Sequence, residues 1–170
     1  MTDGDRGPEG TILIADDEES IRWVLERALK QGGHTVVTVG SGTDALSALR
    51  GRSFDVALID IKMPDLSGLD VLSRARGEDI DTLLIIMTAQ NTMANAIEAT
   101  KRGAYDYLTK PFDLEQVAAL VTRALELRRL TRELERLRGE LQQRHELVIG
   151  QLVLDQAHDR RRRTDRGRDP

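Results

Sequence analysis

The sequence predicts an α/β fold in which a doubly wound sheet of five parallel strands carries helices on both faces. Five short apolar runs alternate with five segments whose apolar residues fall at helical spacing. The runs are mostly continuous, which is typical of strands buried on both faces of a parallel sheet. Strand and helix therefore alternate along the chain, and we expect right-handed crossovers between successive strands.

The predicted strands are rich in aliphatic residues, as buried strands require. They cover residues 11–15, 35–39, 56–59, 83–87 and 105–109.

The predicted helices lie between these strands and carry one apolar stripe each. The first ends at Gly32, the third near Gly77 and the fourth at Gly103, because glycine accepts the backbone conformation that follows a helix. The second helix runs through residues 45–49. Trp23 lies off the first stripe, so we predict a partly exposed helix residue there. A last helix begins near Asp113, a plausible N-cap.

Composition limits the classes of function. No run of 18 apolar residues and no charged-then-apolar leader occurs, so we expect neither a membrane span nor a signal peptide. The absence of cysteine excludes disulfides and thiolate metal sites, and is compatible with a cytoplasmic location. The glycine patterns of dinucleotide-binding and P-loop proteins are missing, so we do not expect nucleotide binding within this chain.

Charge divides the chain at about residue 127. The first 127 residues contain 21 Asp or Glu and 13 Lys or Arg, whereas the remainder contains 8 and 12. We expect a disordered lead-in over residues 1–9, an acidic domain over 10–125, a linker helix over 126–147 and a disordered basic tail over 148–170. Arginines 160–163 could bind nucleic acid, but a solvated tail is the commoner role for such a run.

The linker helix has an a/d heptad seam, which predicts a parallel coiled-coil dimer. Glu133 would then face Arg138 of a second copy, and Glu140 would face His145. A solitary amphipathic helix packed on its own domain is the alternative, and the seam is shorter than three heptads. The seam residues are Leu127, Leu130, Leu134, Leu137 and Leu141.

Four of the five strands end in residues suited to phosphoryl chemistry. Asp16 and Asp17 follow the first strand, while Asp60, Thr88 and Lys110 end or follow the third, fourth and fifth. In the flavodoxin-like order 2-1-3-4-5 the first and third strands are neighbours, so the three carboxylates would lie together at the carboxyl edge. Oxygen ligands without histidine or cysteine favour Mg²⁺, which would also keep the carboxylates ionised.

This arrangement suits a carboxylate nucleophile that becomes an aspartyl phosphate. The hydroxyl of Thr88 and the ammonium of Lys110 could each hydrogen-bond one phosphoryl oxygen. Each residue taken alone could also be a simple strand end or a solvated charge. Five such residues converging on one edge make the phosphoacceptor hypothesis the stronger one, with Asp60 as the acceptor.

Residues 10–125 resemble the response-regulator receiver domains of bacterial two-component signalling, which have the CheY-like fold. The matching stretches are ILIADDE from Ile12, DIKMPDLSG from Asp60, MTAQ from Met87 and GAYDYLTKPF from Gly103. The resemblance implies a sensor histidine kinase that phosphorylates Asp60, and conformational switching instead of enzymatic turnover of a separate substrate.

The resemblance also implies roles for individual residues. Mg²⁺ would be bound by Asp17, Asp60 and the backbone carbonyl of Lys62, with Asp16 reaching it mainly through water. Thr88 and Tyr107 would be the switch pair, and Lys110 would contact the phosphate. The peptide bond between Lys110 and Pro111 would be cis.

Within this family, residues 88–92 and 103–114 are most similar to the nitrogen-regulation (NtrC-type) group of sigma-54 activators. That group implies transcriptional control and a homodimer formed through the fourth helix, the fifth strand and the linker helix. Residues 146–150 resemble the start of the group's ATPase domain, but the Walker A loop and the DNA-binding domain are missing. We therefore expect a chain that is truncated after the linker and reaches DNA only indirectly, with a genuine stand-alone receiver as the alternative.

Two other functions fit the sequence less well. A phosphatase of the haloacid-dehalogenase kind needs a second Asp two residues after its nucleophile, whereas Lys62 stands there and the acidic pair precedes Asp60. A docking or dimerisation module independent of phosphorylation would have no need of all five edge residues.

Overall fold

The computed structural model describes residues 7–90 and 92–165, which form two units, one ending at Arg128 and one beginning at Arg129. We describe each unit by itself. Most of the predicted disordered lead-in, residues 1–6, lies outside the described residues. Residues 7–9 have no regular secondary structure.

The first unit contains one sheet of five parallel strands, which confirms the predicted CheY-like fold. The second strand of the chain lies at one edge of the sheet, and the first, third, fourth and fifth follow it in that order. Only the fifth strand begins at a different residue from the prediction, at Asp106 instead of Tyr105. The amide of Tyr105, directly before it, donates to the carbonyl of Leu84 at 2.8 Å. The strands are β1 (Thr11–Ala15), β2 (Thr35–Val39), β3 (Val56–Asp60), β4 (Leu83–Thr88) and β5 (Asp106–Thr109).

Five helices connect and follow the strands, and local residue chemistry explains where they begin and end. The side chains of Ser41, Ser67 and Thr92 each accept a hydrogen bond from the amide three residues later, as N-caps do. Gly33 and Gly103 adopt φ angles of 92° and 91° just after two of the helices. The helices are α1 (Glu19–Gln31), α2 (Gly42–Gly51), α3 (Gly68–Gly77), α4 (Met93–Lys101) and α5 (Leu114–Asp165).

Alternate residues of each central strand enter different cores, because successive side chains point to opposite faces of a sheet. Ile12 and Leu58 belong to the core beneath α1 and the first turns of α5. Leu13 and Ile59 belong to the core beneath α2, α3 and α4. All four are fully buried, so the sheet has no solvent-facing side at its centre, as the continuous apolar runs predicted.

The second unit is the continuation of α5, and it corrects the predicted tail. We predicted disorder over residues 148–170, whereas the helix continues as far as Asp165; residues 166–170 lie outside the described residues. Gly150 does not end the helix. The side-chain amide of Gln151 donates to Asp155 one turn later at 3.2 Å, and leucine, glutamine and arginine are good helix formers.

The predicted seam leucines on α5 are 42% to 65% exposed in the single chain. Arg136 contacts both Glu133 and Glu140 at 2.6 Å within the same helix. These are the carboxylates that we predicted to face a second copy, so the coiled-coil dimer stays a prediction.

Gly68 gives a direct test of how closely α3 packs against the end of β3. A Cβ atom there would overlap the carbonyl oxygen of Asp60, whereas a Cβ on Gly77 in the same helix meets nothing within 4 Å. We expect Gly68→Ala to lower the free energy of unfolding by about 1–3 kcal/mol. Gly77→Ala should leave it unchanged or raise it by up to about 1 kcal/mol. Urea denaturation measures both, and equal effects would contradict the packing described.

Candidate functional site

The carboxyl edge of the sheet brings together the residues that the sequence singled out. Strand β1 lies beside β3, with Ala15 opposite Ile59, and Asp60 is paired in register with Met87 of β4. A cavity of about 170 Å³ opens at this edge. Its lining residues are Asp17, Glu18, Asp60, Lys62, Thr88, Ala89, Gln90 and Lys110.

Lys110 joins two of the carboxylates. Its Nζ atom lies 2.6 Å from Oδ2 of Asp16 and 3.4 Å from Oδ2 of Asp60. Burial opposes the charge of the ammonium, but the hydrogen bond and charge of Asp16, with the charge of Asp60, outweigh burial and raise the pKa of Lys110. The lysine therefore remains a cation among the acidic groups.

Asp60 is only 5% exposed, and burial is the largest cause that raises its pKa, to about 6. The negative charge of Asp16 raises it further, while Lys110 acts in the opposite direction. A carboxylate so placed is poorly solvated and close to other negative charge. Any additional cation in the cavity would favour its ionised form.

Asp16 is fully buried and held from three sides. Its Oδ1 atom accepts the amide of Glu18 at 3.0 Å, and its Oδ2 atom accepts from Lys110. The guanidinium of Arg22 donates to its backbone carbonyl at 2.7 Å. Both side-chain oxygens are thus engaged, which leaves the neighbouring Asp17 as the more available ligand.

The donor set fits a hard divalent cation. Carboxylate oxygens of Asp16, Asp17 and Glu18 lie within 4.8 Å of one another, and oxygen ligands of this kind suit Mg²⁺. Lys62, whose carbonyl was a predicted ligand, lines the same cavity as Asp17 and Asp60. Sequence reasoning missed Glu18, although its position directly after the acidic pair was a usable signal.

The two predicted switch residues meet at one backbone group. The hydroxyl of Thr88 donates to the carbonyl of Gln90 at 3.3 Å and accepts the amide of Gln90 at 3.1 Å. The hydroxyl of Tyr107 donates to the same carbonyl at 3.1 Å, and the side-chain amide of Asn95 does so at 3.4 Å. A backbone acceptor leaves no trace in residue type, so the sequence could not identify Gln90.

Two further sequence predictions are confirmed. The peptide bond between Lys110 and Pro111 is cis. Trp23 is 58% exposed on α1, where the guanidinium of Arg27 lies 5.3 Å from the ring centroid.

Comparison of the sequence with models of known families identifies the family of the chain. Residues 12–122, well over half of the chain, match the model of the response regulator receiver domain. The chain belongs to the response regulator receiver family. Receiver domains of this family are phosphoacceptor signalling modules of two-component response regulators, and they typically bind Mg²⁺ at an acidic cluster. Membership also implies a sensor kinase as partner.

Relatives and solved structures agree with the family. The DNA-binding transcriptional regulator NtrC of Salmonella typhimurium is 44% identical over 116 residues, which cover 68% of this chain and 25% of the relative. The regulatory protein AtoC of Escherichia coli is 35% identical over 130 residues, covering 76% and 28%. This receiver thus spans about a quarter of the length of the curated relatives that it matches.

The solved receiver domain of the Francisella response regulator 1452 is 32% identical with a TM-score of 0.67, covering 69% of this chain and 97% of that one. NtrX from Brucella abortus is 30% identical with a TM-score of 0.71, covering 76% and 30%. Among the helices of residues 7–90 and 92–165, none combines the length and the apolar character needed to cross a bilayer.

The raised pKa of Asp60 predicts a pH-dependent effect of Asp60→Asn. The folded-state pKa of Asp60, about 6, exceeds its ordinary value of 3.8, so ionisation of Asp60 costs the folded state more than the unfolded chain. The resulting loss of stability grows as the pH rises from about 4 and is complete above about pH 6. With EDTA present, we expect Asp60→Asn to raise the free energy of unfolding by about 1–3 kcal/mol at about pH 7.5. The gain should shrink toward about pH 4, where both proteins are neutral at this position. Urea denaturation at both pH values measures it, and a gain independent of pH would contradict the assignment.

Proposed function

We propose that Asp60 accepts a phosphoryl group from a sensor histidine kinase and that the resulting aspartyl phosphate switches the conformation of this receiver. The observation that carries the proposal is the burial of Asp60 beside a lysine whose ammonium contacts both Asp60 and Asp16. A structural carboxylate at a strand end has no need of such surroundings.

The transfer would proceed by attack of a carboxylate oxygen of Asp60 on phosphorus. A P–O bond forms while the N–P bond of the kinase phosphohistidine breaks, and the imidazole keeps the electron pair and takes a proton. The cavity at the sheet edge admits the phosphoryl group next to Asp60. Ionised Asp60 is the reactive form, so positive charge nearby assists the step.

Two side chains are placed to stabilise the phosphoryl oxygens. Lys110 would exchange part of its contact with Asp16 and Asp60 for one phosphoryl oxygen. The hydroxyl of Thr88, now held by Gln90, would turn to donate to another. Both groups already line the cavity, so side-chain rotations suffice.

Asp17, Asp60 and the carbonyl of Lys62 would hold Mg²⁺, with Asp16 acting mainly through water. The ion supplies positive charge that offsets the carboxylates and the incoming phosphoryl oxygens. Engagement of both Asp16 oxygens by Lys110 and Glu18 supports this indirect role.

The output would be a shift in α4 and β5. When Thr88 turns toward the phosphate, the ring of Tyr107 would move into the space vacated, which changes the surface offered to a second copy. This is a shift between two populated states, limited by the difference in their affinity for phosphate. The likeness to NtrC supports control of transcription, nitrogen-related and sigma-54-dependent, exerted through regions outside residues 10–125.

Dimerisation through α4, β5 and the seam on α5 completes the proposal. The exposed leucines support a homodimer, as do the e/g charge pairs that the sequence predicts for two parallel helices. The alternatives are a stand-alone receiver and a docking module that works without phosphorylation.

Phosphate labelling tests the acceptor. With acetyl phosphate and Mg²⁺, we expect the wild-type chain to take up hydroxylamine-sensitive phosphate, and Asp60→Ala to take up none. Asp44→Ala, which removes an exposed carboxylate on α2, is the matched control and should label normally. Undiminished labelling of Asp60→Ala would show that another residue is the acceptor, whereas an unlabelled wild-type chain would favour the docking module.

The seam predicts how a single charge alters the oligomeric state. Leu134→Lys places an ammonium at an a position, so we expect a shift from dimer to monomer in sedimentation velocity. Gln143→Lys adds the same charge away from the seam and should leave the dimer intact. If both variants sediment like the wild-type chain, the seam is not the interface.

A further inference from the structure

The loop after the phosphoacceptor, residues 61–67, is closed by a backbone hydrogen bond and packs closely against α2. The amide of Gly68 donates to the carbonyl of Ile61 at 2.9 Å, which joins the two ends of the loop, and Gly68 has no room for a Cβ beside the carbonyl of Asp60. Near the C-terminal end of the loop Gly42, the first residue of α2, has no room for a Cβ beside the carbonyl of Leu66.

Asp65 joins this loop to α2. Its carboxylate accepts the amide of Thr43 at 3.2 Å, so it serves the N-terminus of a helix from which it is 22 residues distant. That hydrogen bond, together with the amides of Leu66 and Gly42, holds the pKa of Asp65 below its usual value. The Ser41 hydroxyl, directly before α2, already accepts from the amide of Asp44. The N-terminus of α2 therefore has two caps, one from Ser41 and one from Asp65 in the loop.

The backbone of Asp65 shows that the position is specialised. Its φ angle is 67°, in the left-handed region where most side chains are strained and where aspartate, asparagine and glycine are tolerated. The same residue thus provides the turn in the loop and the acceptor for α2. Only Lys62, Met63 and Pro64 lie between Ile61 and this turn.

We propose that Asp65 is a positioning residue that holds the Lys62 carbonyl at the metal site by fastening its loop to the N-terminus of α2. The proposal rests on the assignment of the Lys62 carbonyl as a ligand under the proposed function. It goes further in making Mg²⁺ affinity depend on an exposed residue that lines no part of the cavity. The Lys62 carbonyl is a backbone group, so the direction in which it points is set by the conformation of the loop.

Three substitutions at Asp65 distinguish its left-handed backbone conformation from its role as a hydrogen-bond acceptor. Asp65→Asn retains tolerance of the left-handed backbone and an oxygen that can accept from Thr43. Asp65→Gly retains the backbone conformation but removes the acceptor, and Asp65→Ala removes both. Asp44→Ala is the matched control, because it removes an exposed carboxylate from the first turn of the same helix without touching the loop.

Calorimetric titration of the full chain with Mg²⁺ tests the proposal, with thermal unfolding in EDTA as a measure of general stability. We expect Asp65→Gly to raise the Mg²⁺ dissociation constant by more than twofold and up to roughly thirtyfold, an upper limit set by the loss of a helix cap, and Asp65→Ala by more. Asp65→Asn and Asp44→Ala should stay within about twofold of the wild-type chain. At saturating Mg²⁺ the rate of labelling by acetyl phosphate should recover in Asp65→Gly, because Asp60 itself is unchanged.

Unchanged Mg²⁺ affinity in Asp65→Gly and Asp65→Ala, with the wild-type chain binding Mg²⁺ and labelling normally, would overturn the role of Asp65 alone. A loss of affinity equal in Asp65→Asn and Asp65→Ala would also overturn it, since the acceptor would then be irrelevant. Failure of the wild-type chain to bind Mg²⁺ or take phosphate would instead remove the proposed function, and this inference with it.

Discussion

The contact of one ammonium with two buried carboxylates is the constraint on which the carboxyl edge depends. Asp16 and Asp60 follow or end neighbouring strands, so the sheet forces them together whatever their mutual repulsion. Lys110, from the far edge strand, supplies the compensating charge across a separation of 94 residues. The arrangement ties β1, β3 and β5 together at the site while leaving Asp60 with a raised pKa. Net negative charge is thus retained in the place where a phosphoryl group and a divalent cation would enter.

The strands could be predicted closely because the sheet is buried on both faces. A short, continuous aliphatic run between turn residues is hard to place anywhere except in a buried strand, and each run ended within about one residue of the structure. The last helix was harder. Gly150 and the arginines after it indicated a disordered tail, but local side-chain bonds such as that from Gln151 to Asp155 accompany the helix to Asp165. The polar composition of this segment shows that it lacks a core of its own, but it does not show where the helix ends.

The identities of the site residues followed from topology, whereas their contacts did not. A strand order of 2-1-3-4-5 places Asp16 and Asp60 together, but nothing in residue type shows that Lys110 would contact Asp16 more closely than Asp60. The backbone was still less accessible to sequence reasoning. The shared carbonyl of Gln90 and the left-handed conformation of Asp65 depend on loop geometry, which has no periodic signal.

The crowded carbonyl of Gln90 bears on how much a rearrangement at Thr88 would cost. Three donors approach this oxygen, from Thr88, Tyr107 and Asn95, at 3.1 to 3.4 Å. A carbonyl oxygen has two lone pairs, so one donor can depart and leave it satisfied. The penalty for breaking a hydrogen bond is greatest where it strands a buried acceptor. Gln90 is exposed and two other donors remain at its carbonyl, so that penalty is largely absent here. Because Tyr107 and Asn95 also donate to this oxygen, the hydroxyl of Thr88 can turn away from it without leaving the carbonyl unpaired.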